Sequence, residues 1–336
     1  MFRKALALTA AVICMGAGPG DDLVADLLSG RIDPLSYDYG ALRDRPDADA
    51  FLEQAEARAK REVLRRHGVP DDVPPEKALY ADCASAAEIA VQKGLSSARK
   101  AASRVDWLSA KREAVDAEAR RQALRRAIFA GETVPYDQLR GVERSVRLSR
   151  EAKDPVVAEL FRRHAEEQFS RLGIGFSARH FFAEGVSEAG LDLYDAAVVR
   201  ETCLVDADNR AWLKATLARR GWFRISVDGE RADSAAWTLA QHADRDVAFQ
   251  QAVLVILEKE LAAKETSSTN YAYLWDRVAV NTGKPQRYAT QGSCKGPGDW
   301  RPDPLEDSAS VERWRTEFGI DWPMEEYIAK MNTFCR

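Results

Sequence analysis

Residues 233–263 read DSAAWTLAQHADRDVAFQQAVLVILEKELAA, and this stretch decides the fold class. Its apolar residues recur every three or four positions, the spacing that places side chains on one face of an α-helix. They form a stripe of Ala236, Ala240, Ala243, Val247, Leu254, Leu257 and Leu261, with a flank of Leu239, Phe249, Val253 and Ile256. Asp233 or Ser234 is suited to cap its start. The sequence therefore predicts a long amphipathic helix that reaches Ala263.

Helical periodicity also dominates the rest of the chain. It predicts helices over 51–68, within 81–130, over 154–173, from Asp208 or Asn209 to Arg220, over 270–282, from Asp307 or Ser308 to Gly319, and from Pro323 onward. Extended signals are limited to Gly221–Gly229 and Arg287–Thr290, and 292–304 reads as a loop rich in Pro and Gly. We predict a mostly α protein, in which a helical N-terminal region precedes an α-helical C-terminal domain with one or two short extended segments.

The N-terminus has the layout of a secretory signal peptide. Arg3 and Lys4 precede an apolar run from Ala5 to Met15, and small residues follow up to Gly18. The apolar run is too short to span a bilayer. We therefore predict a signal peptide at 1–18, a helical N-terminal region at 19–152 and a C-terminal domain at 153–336. The mature chain is expected to be periplasmic or secreted, with no stable membrane insertion. The alternative is an apolar N-terminal helix packed on the core.

The cysteines fit an exported protein. Cleavage near Gly18 would remove Cys14 and leave four cysteines: Cys83, Cys203, Cys294 and Cys335. An even number in an oxidising compartment is compatible with two disulfides. Four cysteines allow three pairings, and the proximity of the last two along the chain favours Cys294–Cys335. Four buried free thiols are the alternative.

Charge and composition restrict the partners. The formal net charge is −4 and 46% of the residues are hydrophobic, so the chain has an adequate core and no global basic field. We therefore expect no nucleic-acid partner. A P-loop and a dinucleotide fingerprint are both missing from the sequence, and we expect no cofactor. The partner predicted is a small polar ligand or a protein.

Three residues in the C-terminal part are candidates for catalysis: His242, Asp246 and Asp276. His242 and Asp246 are four residues apart, a spacing that would let the carboxylate hold one ring nitrogen and leave the other as a general base. In one alternative, His242 and Asp246 only satisfy each other's hydrogen-bonding groups in a partly buried position between helices. In another, Asp244 or Asp246 caps a new helix after a break at ADRD.

Further polar residues surround these three and are candidates for ligand binding. They are Asp244, Gln250, Arg277, Asn281, Gln286 and Gln291. Arg277 and Asn281 share one helical face beside Asp276, a combination suited to a polar or anionic ligand and equally to a clamp on neighbouring loops. The chain has four histidines and lacks HExxH, so we expect no metal site.

The C-terminal part resembles the bacterial domain-of-unknown-function family 6624. The resemblance rests on five linked elements in the same order: DNRAWL, GWFRISVDG, QHADRDVAFQ, YLWDRVAVNTGKPQRY and the closing helix before DWPMEEY. It covers about Lys153 to Arg336. The positions that match the motifs of the family are His242, Asp244, Asp246, Gln250, Asp276, Arg277, Gln286 and Gln291. Ala289 departs from the pattern, where the resemblance implies Gly. The family is uncharacterised, so the resemblance implies neither a substrate nor a reaction.

Two functions follow as hypotheses. The first, which we favour, is an exported binding or structural module with a polar cluster on successive helices. The second is a hydrolase-like enzyme with His242 as general base, oriented by Asp246. A cleft shared by His242 and Asp276 would favour the enzyme, whereas two side chains sealed among their own partners would favour the module.

Overall fold

A computed structural model of the chain describes residues 19–75, 78, 80, 82–172 and 182–335. The predicted signal peptide at 1–18 lies outside the described residues. The described part is mostly α, as predicted, with one two-stranded sheet near the C-terminus. None of the described helices combines the length and the apolar character that crossing a membrane requires.

The N-terminal helices pack around a buried tyrosine. They are α1 (Pro19–Ser29), α2 (Ala48–Arg66), α3 (Ala86–Lys100) and α4 (Trp107–Ala130). Tyr39 is fully buried among them, and its ring lies edge-on to Trp107 with the centroids 5.2 Å apart. A Cβ at Gly94 would lie 2.4 Å from the Tyr39 ring, so only glycine lets α3 approach this closely.

A single long helix connects the two halves of the protein. After α5 (Arg140–Glu151) and α6 (Pro155–Leu172), helix α7 runs over 33 residues from Glu188 to Arg220 and packs against α3, α4 and α6. The predicted start at Asp208 or Asn209 is wrong. Ser187 caps the helix instead, and the upstream turns are retained because Tyr194 and Val198 are buried on them.

Four helices follow α7: α8 (Ile225–Asp228), α9 (Glu230–Gln241), α10 (Val247–Ala262) and α11 (Ser268–Asn281). The largest apolar core of the described residues lies between α6, α7, α9, α10 and α11. The single helix predicted to reach Ala263 is in fact two, α9 and α10, because the chain turns at 242–246. Asp246 caps α10 and accepts a hydrogen bond from Phe249 N at 3.0 Å, so the capping alternative is confirmed.

Two of the predicted irregular segments differ from the structure. The stretch Gly221–Gly229, predicted as extended, contains the helical turn α8, because Trp222 and Phe223 are both buried and do not alternate between a core face and a solvent face. The predicted loop at 292–304 contains an antiparallel hairpin of β1 (Gly292–Gly296) and β2 (Asp299–Pro302). Most β1 side chains are exposed, so its sequence carries no apolar alternation. Helices α12 (Val311–Glu317) and α13 (Met324–Asn332) follow.

Two disulfides join distant parts of the chain. Cys83 pairs with Cys203 across 120 residues, and Cys294 pairs with Cys335 across 41 residues. The prediction that favoured Cys294–Cys335 is confirmed. The first bridge ties the segment before α3 to α7, and the second ties β1 to the end of the chain.

The Cys83–Cys203 bridge is expected to be the more stabilising of the two. The Cys83→Ala/Cys203→Ala variant should lose about 2–5 kcal/mol of unfolding free energy, because the unfolded chain regains the freedom of a long loop. The matched variant Cys294→Ala/Cys335→Ala should lose about 1 kcal/mol less, since its loop is shorter. Urea unfolding followed by circular dichroism measures both values, and a smaller loss for the first variant would contradict this ranking.

Candidate functional site

The turn between α9 and α10, residues 242–246, is the centre of the charged contacts in the C-terminal half. We call it the polar turn. Its side chains meet residues from α6, α7 and α11, elements that are far apart in the sequence.

His242 is held by a carboxylate from α6. Its Nδ1 lies 2.6 Å from Glu167 Oε1 and 3.0 Å from Arg171 Nε. Burial by itself would raise the pKa of Glu167, but the hydrogen bond with His242 and the charge of Arg171 outweigh it and hold that pKa at about 2. The ionised Glu167 therefore orients the imidazole, and Nε2 has no hydrogen-bond partner among the described residues.

Asp246 does not orient His242, so that part of the prediction is wrong. Its carboxylate caps α10 and forms an ion pair with Lys214. Capping points the side chain along its own helix and away from the preceding turn. Glu167 takes the orienting position, and the sequence carries no local signal for it because it lies 75 residues upstream of His242.

A second carboxylate completes the cluster around Arg171. Asp206 Oδ2 accepts a hydrogen bond from Arg171 at 2.7 Å, while Asp206 Oδ1 is buried with no partner among the described residues. Burial raises the pKa of Asp206 to about 6, with Arg171 opposing the shift and Glu167 adding to it. Arg171 forms ion pairs with both carboxylates, Glu167 and Asp206. In the described ranges, no three metal-ligating side chains are grouped to hold a metal ion.

Four of the predicted binding residues meet at the other end of the polar turn. Arg277 donates to both oxygens of Asp244, at 2.8 and 3.0 Å, and Gln250 donates to Asp244 at 3.1 Å. Asn281 donates to Gln250 Oε1 at 3.1 Å. Gln250 is fully buried and also donates to Gln241 O at 2.8 Å. These contacts fasten the polar turn to α11.

Asp276 lies apart from this group and is fully buried. Its carboxylate accepts hydrogen bonds from the backbone N–H groups of Arg287, Tyr288 and Thr290, at 2.8 to 3.0 Å, and from the Thr290 hydroxyl at 2.9 Å. Burial raises the pKa of Asp276 above its usual range, although these donors oppose the shift. Asp276 therefore shapes the 286–291 loop from inside.

Gln286 and Gln291 belong to the same loop. Gln286 is fully buried; it donates to Gln291 O at 2.7 Å and accepts from Gln291 N at 2.9 Å. Between them, Ala289 is buried with a φ of +55°, a left-handed conformation that favours glycine. This is the position at which the resemblance implies glycine, and the loop keeps the conformation at the expense of some backbone strain.

A cavity of about 680 Å³ lies between α5, α6 and α9. We call it the α5–α9 cavity, after two of the helices that line it; the start of α11 contributes as well. Its polar lining residues are Arg144, Ser145, His164, Glu230, Arg231, Asp233, Ser234, Ser267, Ser268 and Asn270. Ser145 Oγ lies 2.9 Å from His164 Nδ1, and burial lowers the pKa of that imidazole. His164 is therefore neutral at pH 7. The sequence did not single out this cavity, because its walls come from three separate parts of the chain.

The comparisons with known proteins give one match, to a family model, and it covers only the C-terminal half of the chain. Searches of the curated proteins and of the solved structures each find no significant match. Residues 175–334 match the model described as Family of unknown function (DUF6624), which confirms the resemblance predicted from the motifs.

Proposed function

We propose that this chain is an exported binding module for a small polar ligand, and that the α5–α9 cavity holds this ligand. One observation carries the proposal. The buried polar residues of the predicted site, Asp276, Gln250 and Gln286, form their hydrogen bonds with neighbouring loops and helices, whereas the cavity lining includes polar side chains that are exposed to solvent. These are Arg144, Glu230, Arg231 and Ser234.

The size and lining of the cavity support this function. Its volume of about 680 Å³ lies within the usual range of small-molecule sites, which is roughly 300–1,000 Å³. Apolar residues such as Leu148 and Phe161 line it together with the polar groups. A mixed lining of this kind can bury the body of a ligand and orient its polar ends.

The hydrolase alternative is supported by one specific contact. Glu167 and His242 form a carboxylate–imidazole pair in which Nε2 is left to accept a proton, as a general base requires.

Two observations disfavour the hydrolase. The thiols that could act as nucleophiles are absent from the described residues, because all four cysteines there are in disulfides. The sealed position of Asp276 also removes it from reach of a substrate.

Native mass spectrometry of the protein purified from the periplasm tests the binding function. The wild type should carry a co-purified small molecule. Ser234→Trp, which places an indole at the exposed wall of the cavity, should lose it, and Ser308→Trp at an exposed position outside the cavity should retain it. A wild type that carries no ligand, or a ligand retained by Ser234→Trp, would contradict the proposal.

Asp276→Asn should lower stability and not binding. The amide presents an NH₂ group to backbone donors, so about 2–3 kcal/mol of unfolding free energy should be lost. The control Asp321→Asn changes an exposed aspartate and should cost less than about 0.5 kcal/mol. Urea unfolding measures both, and a stable Asp276→Asn variant would show that the carboxylate does not organise the 286–291 loop.

His242→Gln separates the two functions. Under the binding proposal, neither the wild type nor the variant should hydrolyse a panel of esters, amides and phosphoesters. Turnover by the wild type that His242→Gln reduces by roughly 100-fold or more, the usual contribution of a general base, would establish the enzyme instead. Circular dichroism of both proteins shows that the comparison is between folded chains.

Export is tested at the N-terminus. Mass spectrometry of the periplasmic fraction should find a mature chain that begins near Pro19, as the signal-peptide layout predicts. An intact chain that begins at Met1 in the cytoplasm would refute this.

A further inference from the structure

Two arginines on different elements give the α5–α9 cavity a specific chemistry. Arg144 projects from α5 and Arg231 from the first turn of α9, and both line the cavity. Both are exposed, and neither has an ion-pair or hydrogen-bond partner among the described residues. We infer that they bind an oxyanion, the carboxylate or phosphate group of a small ligand, in this cavity. The inference rests on the proposed binding function and adds the class of ligand.

Two neighbouring arginines of α5 are already engaged by partners within the protein. On the same helix, Arg140 donates to Glu143 at 2.8 Å and Arg150 donates to Phe129 O at 2.7 Å. Glu143 also accepts a hydrogen bond from Val134 N at 2.8 Å, so this acid is already occupied. Arg144 is left free to bind a group that enters from solvent.

The carboxylates in the lining form no ion pair with the two arginines. Asp233 is 1% exposed. Its oxygens accept hydrogen bonds from four donors: Trp222 Nε1 at 2.7 Å, Thr266 Oγ1 at 2.6 Å, Ser267 N at 3.1 Å and Asn270 Nδ2 at 3.0 Å. Its lone pairs are therefore engaged inside the protein. Glu230 is exposed, as the two arginines are, and has no ion-pair or hydrogen-bond partner among the described residues.

The helix ends at the cavity contribute further partial positive charge. Helices α9 and α11 both begin at its wall, and neither has a side-chain cap. The N-terminal ends of helices carry partial positive charge and unpaired N–H groups. Together with the two guanidinium groups, they favour an anion over a neutral ligand.

Arginine also restricts the shape of the anionic group. The planar guanidinium donates two parallel hydrogen bonds, which match the paired oxygens of a carboxylate or a phosphate. Leu148 and Phe161 line the same cavity and supply an apolar wall. The ligand class that fits is a small organic acid or phosphoester with an apolar part.

Isothermal titration calorimetry with two probes tests the inference on the full mature chain. Inorganic phosphate represents the phosphoester and succinate the carboxylate, each compared with sodium chloride at the same ionic strength. The wild type should bind at least one probe at a single site. Arg144→Gln/Arg231→Gln should weaken this binding by roughly tenfold or more, because charged hydrogen bonds are lost. Arg126→Gln is the matched control, since Arg126 is exposed on α4 away from the cavity.

His164 gives a local readout of the same event. Its imidazole lines the cavity, so an anion bound there should shift the ¹⁵N resonances of His164 and raise its pKa. NMR titration of the wild type with the stronger probe should show this shift, and the double variant should not.

Three results would overturn the inference: neither probe binds, the double variant binds as tightly as the wild type, or the His164 resonances do not move. Failure of this inference can be distinguished from failure of the binding function. A co-purified neutral molecule that Ser234→Trp excludes would support the binding function and refute only the anionic class of the ligand.

Discussion

Burial of charge is the constraint on which the C-terminal half of this protein depends. A carboxylate taken out of water requires several donors or a cation in direct contact. Three carboxylates meet this requirement in three ways. Glu167 faces His242 and Arg171, Asp233 accepts from four neutral donors, and Asp276 accepts from the backbone of a loop. Each solution fixes one element against another, because the partners come from different parts of the chain.

Because of this constraint, a segment dense in polar residues can serve to stabilise the fold instead of binding a ligand. Side chains such as Gln250 and Gln286 are polar because loops and helix ends without regular backbone partners need them. The groups left over for a ligand then lie elsewhere, around a cavity whose arginines have no internal acid among the described residues. In this protein, a polar residue that is fully satisfied belongs to the scaffold, and an unsatisfied one on a cavity wall is the better candidate for binding.

Helix α7 and the segment before α3 connect this scaffold to the N-terminal helices. The Cys83–Cys203 bridge joins them covalently. Nearby, Arg245 of the polar turn donates to Asp82 O at 2.8 Å and lies over the ring of Tyr80, which stacks on His67 with the centroids 4.1 Å apart. The polar turn therefore contacts residues on both sides of the predicted domain boundary at 152/153.

Local sequence was sufficient wherever a local interaction determines the structure. Asp154 and Pro155 mark the start of α6, Gly221 marks the end of α7, and the motifs of the C-terminal half predict the family model that residues 175–334 match. The sequence also named six candidate binding residues, and four of them, Asp244, Gln250, Arg277 and Asn281, are in contact in the structure. Tertiary structure decided the rest. Glu167 replaces Asp246 beside His242 because the carboxylate that reaches a side chain in space need not be near it in sequence. The α5–α9 cavity likewise exists only after three distant segments have packed, and no periodicity in any one of them could have indicated it.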